Sequence, residues 1–131
     1  MTLDKQAYMS ADAPRPAGPY SHAVSANGLL FTAGFGPQDP ATGQVPDGVA
    51  EQTRQVLRNV GAALAEAGLS FEHVLKTTVH LQDLDRDFAA YNEAYSEFFT
   101  APYPARTTVG STLANILVEI DVVAAVPQGR G

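Results

Sequence analysis

The chain has 131 residues, and its 45% hydrophobic and 17% charged residues are typical of one ordinary globular domain, which we expect to span residues 1–131. It contains no cysteine, which excludes disulfides, thiolate nucleophiles and thiolate zinc sites. The net charge is −6, and the 8 basic residues are scattered rather than clustered, so nucleic acid is a poor candidate partner.

The first third of the chain predicts an extended lead-in and a hairpin. Three prolines between residues 14 and 19 exclude a helix, so this segment extends and leads to Tyr20. The dipeptide Asn27-Gly28 favours a tight turn between strands at 20–24 and 28–34. Turn-forming residues at 39–43 then predict a loop.

The middle of the chain predicts helix, strand and helix. Apolar positions at helical spacing predict a helix over 49–67, with Gly68 as its C-terminal cap. Alternation over 74–81 predicts a strand, with residues 75, 77, 79 and 81 on one face. We expect Asp85 to cap a second helix. Its apolar face would carry Phe88, Tyr91, Asn92, Tyr95, Phe98 and Phe99.

The last third predicts two more strands. One begins near Arg106, and the other lies in the apolar run 116–126, where Val118, Ile120, Val122 and Ala124 share a face. The order of elements predicts an α+β domain with a mixed β-sheet and both helices on one face. The opposite face combines charged and apolar residues, so we expect it to pack against another subunit.

Arg106 is the strongest single candidate for a functional residue. A guanidinium at the start of a mostly apolar strand is costly to bury without an anion. That anion is equally well a bound ligand, Glu119, Asp121 or a neighbouring subunit. Glu119 in turn either holds a water for attack or balances Arg106. By themselves, Tyr20, Asn92 and Tyr95 are as easily explained by packing or capping.

Other kinds of site have little support. The three histidines lie on different predicted elements, so we expect no metal, although His22 is close enough to Tyr20 to line the edge of a cleft. Gly34 to Pro37 is not followed by a helix or a Lys-Ser pair, which argues against a phosphate loop. No serine stands in a Gly-x-Ser-x-Gly motif.

An ordered set of short motifs runs along residues 13–125. They are GPYSHAV at 18–24, QTRQVLRN at 52–59, AG at 67–68, KTTV at 76–79, DL at 83–84, DF at 87–88, PARTTV at 104–109 and VEI at 118–120, with Asn92, Tyr95, Phe98 and Phe99 between them. Together they resemble the Rid (YjgF-type) family, also called the L-PSP endoribonuclease family.

The resemblance implies a chorismate-mutase-like α+β fold and a homotrimer with three clefts between subunits. It implies hydrolytic deamination of reactive 2-imino acids and their enamine tautomers, such as 2-iminopropanoate and 2-iminobutanoate, to 2-oxo acids and ammonia. No cofactor is implied. Because no segment reaches the roughly 20 apolar residues of a membrane span and no signal peptide is recognisable, we expect a cytoplasmic location.

The resemblance also implies roles for individual residues. Arg106 would grip the substrate carboxylate, Tyr20 would line the cleft, and Glu119 would position the attacking water. The backbone of Gly34 would help to hold the substrate. Thr108 stands where many relatives have Cys, so its backbone carbonyl rather than its side chain would contact the imine nitrogen or the water. Asn92 would support the cleft.

Two departures from the family pattern affect the pocket. The family's SGQ is replaced here by Ala33-Gly34-Phe35, and the segment between Arg106 and Glu119 is shorter. They predict an altered preference for the substrate side chain. Two alternative functions remain open: a ribonuclease that inhibits translation, which the acidic charge disfavours, and a non-catalytic trimer that binds a small ligand.

Overall fold

The computed structural model describes residues 3–127. Outside the described residues lie Met1, Thr2 and the last four residues of the predicted domain. The strands are β1 (Gln6–Tyr8), β2 (Ala23–Ala26), β3 (Leu29–Thr32), β4 (Val74–Leu81), β5 (Ala105–Gly110) and β6 (Val118–Ala125). The helices are α1 (Val49–Glu66) and α2 (Leu84–Ser96), and a short 3₁₀ turn covers Phe71–His73.

The strands form one mixed sheet in the order β1-β2-β3-β6-β4-β5. The pair β4/β5 is parallel and the other pairs are antiparallel. A parallel pair needs a crossover connection, and α2 provides it between β4 and β5. The α+β class with a mixed sheet is therefore confirmed. No helix among residues 3–127 is long and apolar enough to cross a membrane.

The core lies between the helices and one face of the sheet. On α1, Val56, Val60 and Leu64 recur at helical spacing and are fully buried. On β6 the alternate residues from Val118 to Ala124 are buried, as the alternation predicts. Gly68 follows α1 with a φ of 74°, which confirms it as the glycine that ends this helix.

The opening hairpin is confirmed, with shorter strands than expected. Asn27 and Gly28 both have positive φ, 54° and 77°, as a two-residue turn of this kind requires. Tyr20 lies before β2 rather than within it. The strand β1 was not predicted, because only three residues pair there, at an exposed edge of the sheet, without a hydrophobic alternation.

One face assignment and one helix cap differ from the prediction. The pairing of β4 with β6 shifts register between Val74 and Lys76, so Val74 is buried and Leu75 is half exposed. The N-cap of α2 is Asp83, whose carboxylate accepts a hydrogen bond of 3.1 Å from the backbone N–H of Arg86. Asp85 instead lies in the first turn, where its charge still suits the helix dipole.

The helix α2 is also shorter than its aromatic pattern. It ends at Ser96, so Phe98 and Phe99 lie beyond it, where both rings pack edge-on against Phe71. Phe88, expected on the apolar face, is 40% exposed. The two residues of that face which the helix does bury are Tyr91 and Tyr95.

Candidate active site

The side chain of Arg106 is held between the first residues of β5 and helix α2. The paired residue on β4 is Thr77, which is fully buried beneath the helices, so Arg106 points to the helix-covered side of the sheet at its edge. Its Nη1 donates a hydrogen bond of 2.8 Å to Oδ1 of Asn92. Asn92 thus contacts Arg106 directly and helps to fix the position of its guanidinium.

Aromatic rings surround the same guanidinium. The Cζ atom of Arg106 lies 4.8 Å from the ring centre of Tyr95, 5.5 Å from that of Tyr91 and 5.9 Å from that of Phe88. Residues 88, 91 and 95 share one face of α2 because they are spaced by three and four. Such ring contacts stabilise a cation and fix its orientation. Arg106 remains exposed on its other side.

Arg106 lines a first cleft of about 460 Å³. Its walls are Asn92, Tyr95, Ser96, Phe99, Tyr103 and Pro104. The described residues place no carboxylate within ion-pair distance of Arg106; their ion pairs involve Arg54 and Arg86. The alternative that Arg106 pairs with Glu119 or Asp121 of its own chain is therefore wrong. The alternatives of a ligand or a neighbouring subunit are left.

Thr108 lies two residues after Arg106 on the same face of β5. Its Oγ1 is 2.9 Å from the hydroxyl oxygen of Tyr91, a side chain with no exposed surface. Burial raises the pKa of Tyr91, and the positive charge of Arg106 opposes that rise. Tyr91 is thus a neutral hydroxyl at neutral pH, and its ring and oxygen connect Arg106 to Thr108.

Tyr20, Gly34 and Glu119 come together in a second cleft, of about 520 Å³. A Cβ atom on Gly34 would stand 2.5 Å from Oε1 of Glu119, so only glycine lets the carboxylate lie against this backbone. The phenol oxygen of Tyr20 accepts a hydrogen bond of 3.1 Å from the N–H of Ala17. The hydroxyl proton of Tyr20 is therefore free to point into the cleft.

The segment that leads to Tyr20 is fixed by His22. This histidine was expected to line the edge of a cleft, but it is only 2% exposed and lies outside the cleft walls. Its Nδ1 accepts from the N–H of Ser10 at 2.9 Å, which leaves Nε2 protonated to donate to the carbonyl of Pro14 at 2.6 Å. Of the two positions that depart from the family pattern, Phe35 lines the cleft while Ala33 does not.

The two clefts lie on opposite faces of the sheet. Glu119 pairs with His80 on β4. Side chains alternate along a strand, and Thr77 and Val79 of β4 are buried beneath the helices, so His80 and its partner Glu119 point to the face that the helices leave open. Arg106, by its pairing with Thr77, points to the other face. The structure of one chain thus brings Tyr20, Gly34 and Glu119 together, separately from Arg106, Asn92 and Thr108.

Sequence reasoning missed Tyr91 as part of the Arg106 site. The signal was present as aromatic residues spaced by three and four on α2, but that pattern predicts core packing equally well. Only the pairing of Arg106 with Thr77 shows that β5 brings a cation to these rings. Within residues 3–127, no three His, Asp or Glu side chains converge as metal ligands would.

Comparison with known proteins identifies the family. The model of the family described as endoribonuclease L-PSP matches residues 10–126. The chain belongs to this family. A RutC family protein of Pyrococcus horikoshii is 44% identical, over 92% of this chain and 97% of that protein. A 2-iminobutanoate/2-iminopropanoate deaminase of Bos taurus is 39% identical, over 94% of this chain and 91% of that protein.

A solved structure is also similar. The crystal structure of TdcF from E. coli with bound serine superposes with a TM-score of 0.86 at 37% identity, covering 92% of this chain and 98% of that chain. The expected membership of the family is thus confirmed, and so is the α+β fold with a mixed sheet.

Proposed function

We propose that this member of the L-PSP family is a hydrolytic deaminase of small 2-imino acids, with 2-iminopropanoate and 2-iminobutanoate as representative substrates. The observation that carries the proposal is the Arg106 site. Among residues 3–127 this cation has no anionic partner. Fixed by one amide oxygen and three rings, it suits a planar carboxylate. Relatives that carry this name, such as the deaminase of Bos taurus, support the choice of substrate.

The separation of the two clefts supports a second part of the proposal. We propose that the chain forms a homotrimer in which Arg106, Asn92 and Thr108 of one subunit meet Tyr20, Gly34 and Glu119 of the next. Residues on opposite faces of one sheet cannot contact the same small molecule, but neighbouring subunits related by a rotation can bring such surfaces together.

The open face of the sheet supports assembly as well. Phe31 is 50% exposed there, and Leu29 and Val109 also present exposed apolar surface. Covering such a face with another subunit removes apolar area from water and is favourable. The charged residues Lys76, Asp121 and Glu119 on this face are then paired or solvated at the subunit boundary rather than in a dry core.

The chemistry needs little beyond orientation. The imine carbon is electrophilic, and water adds to it while the imine nitrogen takes up a proton, which gives a tetrahedral carbinolamine. Transfer of the hydroxyl proton to the amino nitrogen then lets ammonia depart and forms the oxo group. Glu119 would accept the proton of the attacking water, Tyr20 would donate a hydrogen bond in the cleft, and Arg106 would hold the carboxylate.

The test is turnover of freshly generated 2-iminopropanoate and 2-iminobutanoate, produced in place by an amino-acid oxidase. Wild-type protein should accelerate formation of ammonia and oxo acid, and Arg106→Ala should not. Absence of acceleration for substrates with short and long side chains alike would contradict the proposal. Cleavage of RNA by protein freed of contaminating nucleases would favour the ribonuclease alternative, and ligand binding without turnover would favour the non-catalytic one.

A further inference from the structure

The hydrogen bond between Tyr91 and Thr108 lies next to the cation that would bind substrate. Tyr91 has no exposed surface, and its ring centre is 5.5 Å from Cζ of Arg106. Thr108 is half-buried, and its side chain lies on the same face of β5 as that of Arg106. A substrate carboxylate bound to Arg106 would therefore approach Thr108 before any other hydroxyl of this strand.

The direction of this hydrogen bond follows from the acidity of the two groups. The two oxygens are 2.9 Å apart, and either hydroxyl could donate. Because a phenol is much more acidic than an aliphatic alcohol and is the better donor, we assign Tyr91 as the donor and Oγ1 of Thr108 as the acceptor. Because each hydroxyl carries one proton, the Thr108 proton stays free. Among residues 3–127 the Thr108 side chain has no other hydrogen-bond partner. It can donate outward.

We propose that Tyr91 is a positioning residue that orients the Thr108 hydroxyl as a second donor to the carboxylate held by Arg106. This inference rests on the proposed function of the cleft. A carboxylate offers about four acceptor sites, and a guanidinium fork occupies two of them, so a third donor has a place. The Thr108 side chain, and not its backbone alone, then takes part in substrate binding.

The simplest variant is Tyr91→Phe, which keeps the ring beside Arg106 and removes only the hydroxyl. Without its donor, the Thr108 hydroxyl rotates among several directions and donates to substrate less well. The loss should be about threefold to tenfold in KM for 2-iminobutanoate and in Kd for the stable product 2-oxobutanoate. We expect kcat to change less than about twofold, because the contact is made equally in the bound and transition states.

A double-mutant cycle separates positioning from packing. Thr108→Val should raise KM and Kd by a similar factor, and the double variant Tyr91→Phe/Thr108→Val should be no worse than Thr108→Val alone. Thr108→Ser keeps the hydroxyl and should retain nearly wild-type Kd while Tyr91 is present. The control is Thr53→Val, which removes the hydrogen bond that a buried hydroxyl on α1 donates to the carbonyl of Val49. Thr53 lines neither cleft, so this variant should leave Kd and KM unchanged.

Calorimetric binding of 2-oxobutanoate makes the test independent of turnover. If the two single losses add in the double variant, or if Tyr91→Phe lowers the melting temperature without raising Kd, then the pair is structural and this inference is overturned while the deaminase proposal stands. If wild type neither binds 2-oxobutanoate nor turns over 2-iminobutanoate, both proposals fail. Coupled losses in Kd, together with rescue by Thr108→Ser, support the inference.

Discussion

Arg106 has contacts that only a planar guanidinium satisfies together. One nitrogen donates to Asn92 while the carbon centre lies 4.8 Å from the ring of Tyr95, and the exposed side stays open to a ligand. An ammonium group keeps the charge but cannot present two parallel donors. Arg106→Lys should therefore lower kcat/KM for 2-iminobutanoate by about 100-fold or more, because the carboxylate loses its fixed orientation.

The same substitution should hardly affect stability. Arg106 is exposed, so the free energy of unfolding should change by no more than about 0.5 kcal/mol, measured by denaturant titration. Arg58→Lys on α1 is the matched control, since Arg58 is exposed and its guanidinium donates a hydrogen bond to Gln55, and it should leave both activity and stability unchanged. Full activity of Arg106→Lys would contradict the bidentate role.

Gly34 offers a second prediction for a single residue. A methyl group there would stand 2.5 Å from the Glu119 carboxylate and push it from its place, so Gly34→Ala should lower kcat by about 10-fold to 100-fold. The control is Gly110→Ala, whose added methyl meets Leu84 at an ordinary 3.5 Å. Steady-state kinetics on both variants provide the measurement. Equal loss in both variants would mean that the position of Glu119 is unimportant.

The sequence singles out Arg106 as a cation at the start of a strand, but the premise that its guanidinium would be buried there is wrong, because β5 is mostly exposed and so is Arg106. The anion that Arg106 would bind could not be predicted from the sequence. That choice depends on whether Arg106 and Glu119 point to the same face, and this is decided by the register of β5 and β6 on β4. Register comes from tertiary pairing and has no local signal in either segment.

At the scale of elements, the start of α2 carries the next prediction. Asp83 caps the helix, and Asp85 only contributes charge in its first turn. Asp83→Ala should lower the free energy of unfolding by about 1 kcal/mol, whereas Asp85→Ala should lower it by about 0.5 kcal/mol or less. Thermal and denaturant melts of the two variants measure the difference. A larger loss for Asp85→Ala would restore the cap expected from the sequence.

The long, strongly periodic elements were predictable and the short or irregular ones were not. The helix α1 and the strand β6 bury the residues that their spacing predicts. The strand β1 has three residues, and the irregularity after Val74 moves Leu75 to the exposed side. Both depend on pairing with distant strands rather than on local sequence.

Asp121 on β6 makes stability depend on pH. Burial raises its pKa above the ordinary 3.8, against the opposing charges of His80 and Lys76 on β4. The carboxylate ionises at a lower pH in the unfolded chain than in the folded protein. The stability contributed by the protonated form of Asp121 is therefore fully present below the unfolded pKa, and it is lost as pH rises through the raised pKa of the folded protein. Asp121→Asn should therefore lose less stability than wild type as pH rises from below 3.8 through the raised pKa of Asp121.

The comparison needs a control carboxylate outside the sheet. Asp4→Asn, at an exposed position before β1, should follow the wild-type pH dependence. The free energy of unfolding from denaturant titration at several pH values provides the measurement. If Asp121→Asn follows the wild type across this range, the ionised carboxylate is compensated on the open face, by Lys76 and His80 or by another subunit.

At the scale of the whole molecule, the proposed deaminase activity depends on two half-sites that one chain keeps apart. Arg106 lies on the helix-covered face of the sheet and Glu119 on the open face. Each half lines a cleft of its own: the Arg106 cleft has no carboxylate in its walls, and the Glu119 cleft has Arg15 rather than Arg106 as its cation. The proposed deaminase site takes one half from each of two chains, and this is the central claim to test.

The most direct measurement mixes two inactive variants. Arg106→Ala and Glu119→Ala should each have almost no deaminase activity, whereas trimers assembled from both in equal amounts should recover about a quarter of the wild-type activity. That fraction follows because each cleft takes Arg106 from one subunit and Glu119 from its neighbour, and each residue is intact in half of the chains. Trimers shown to mix, yet still inactive, would contradict a site shared between subunits.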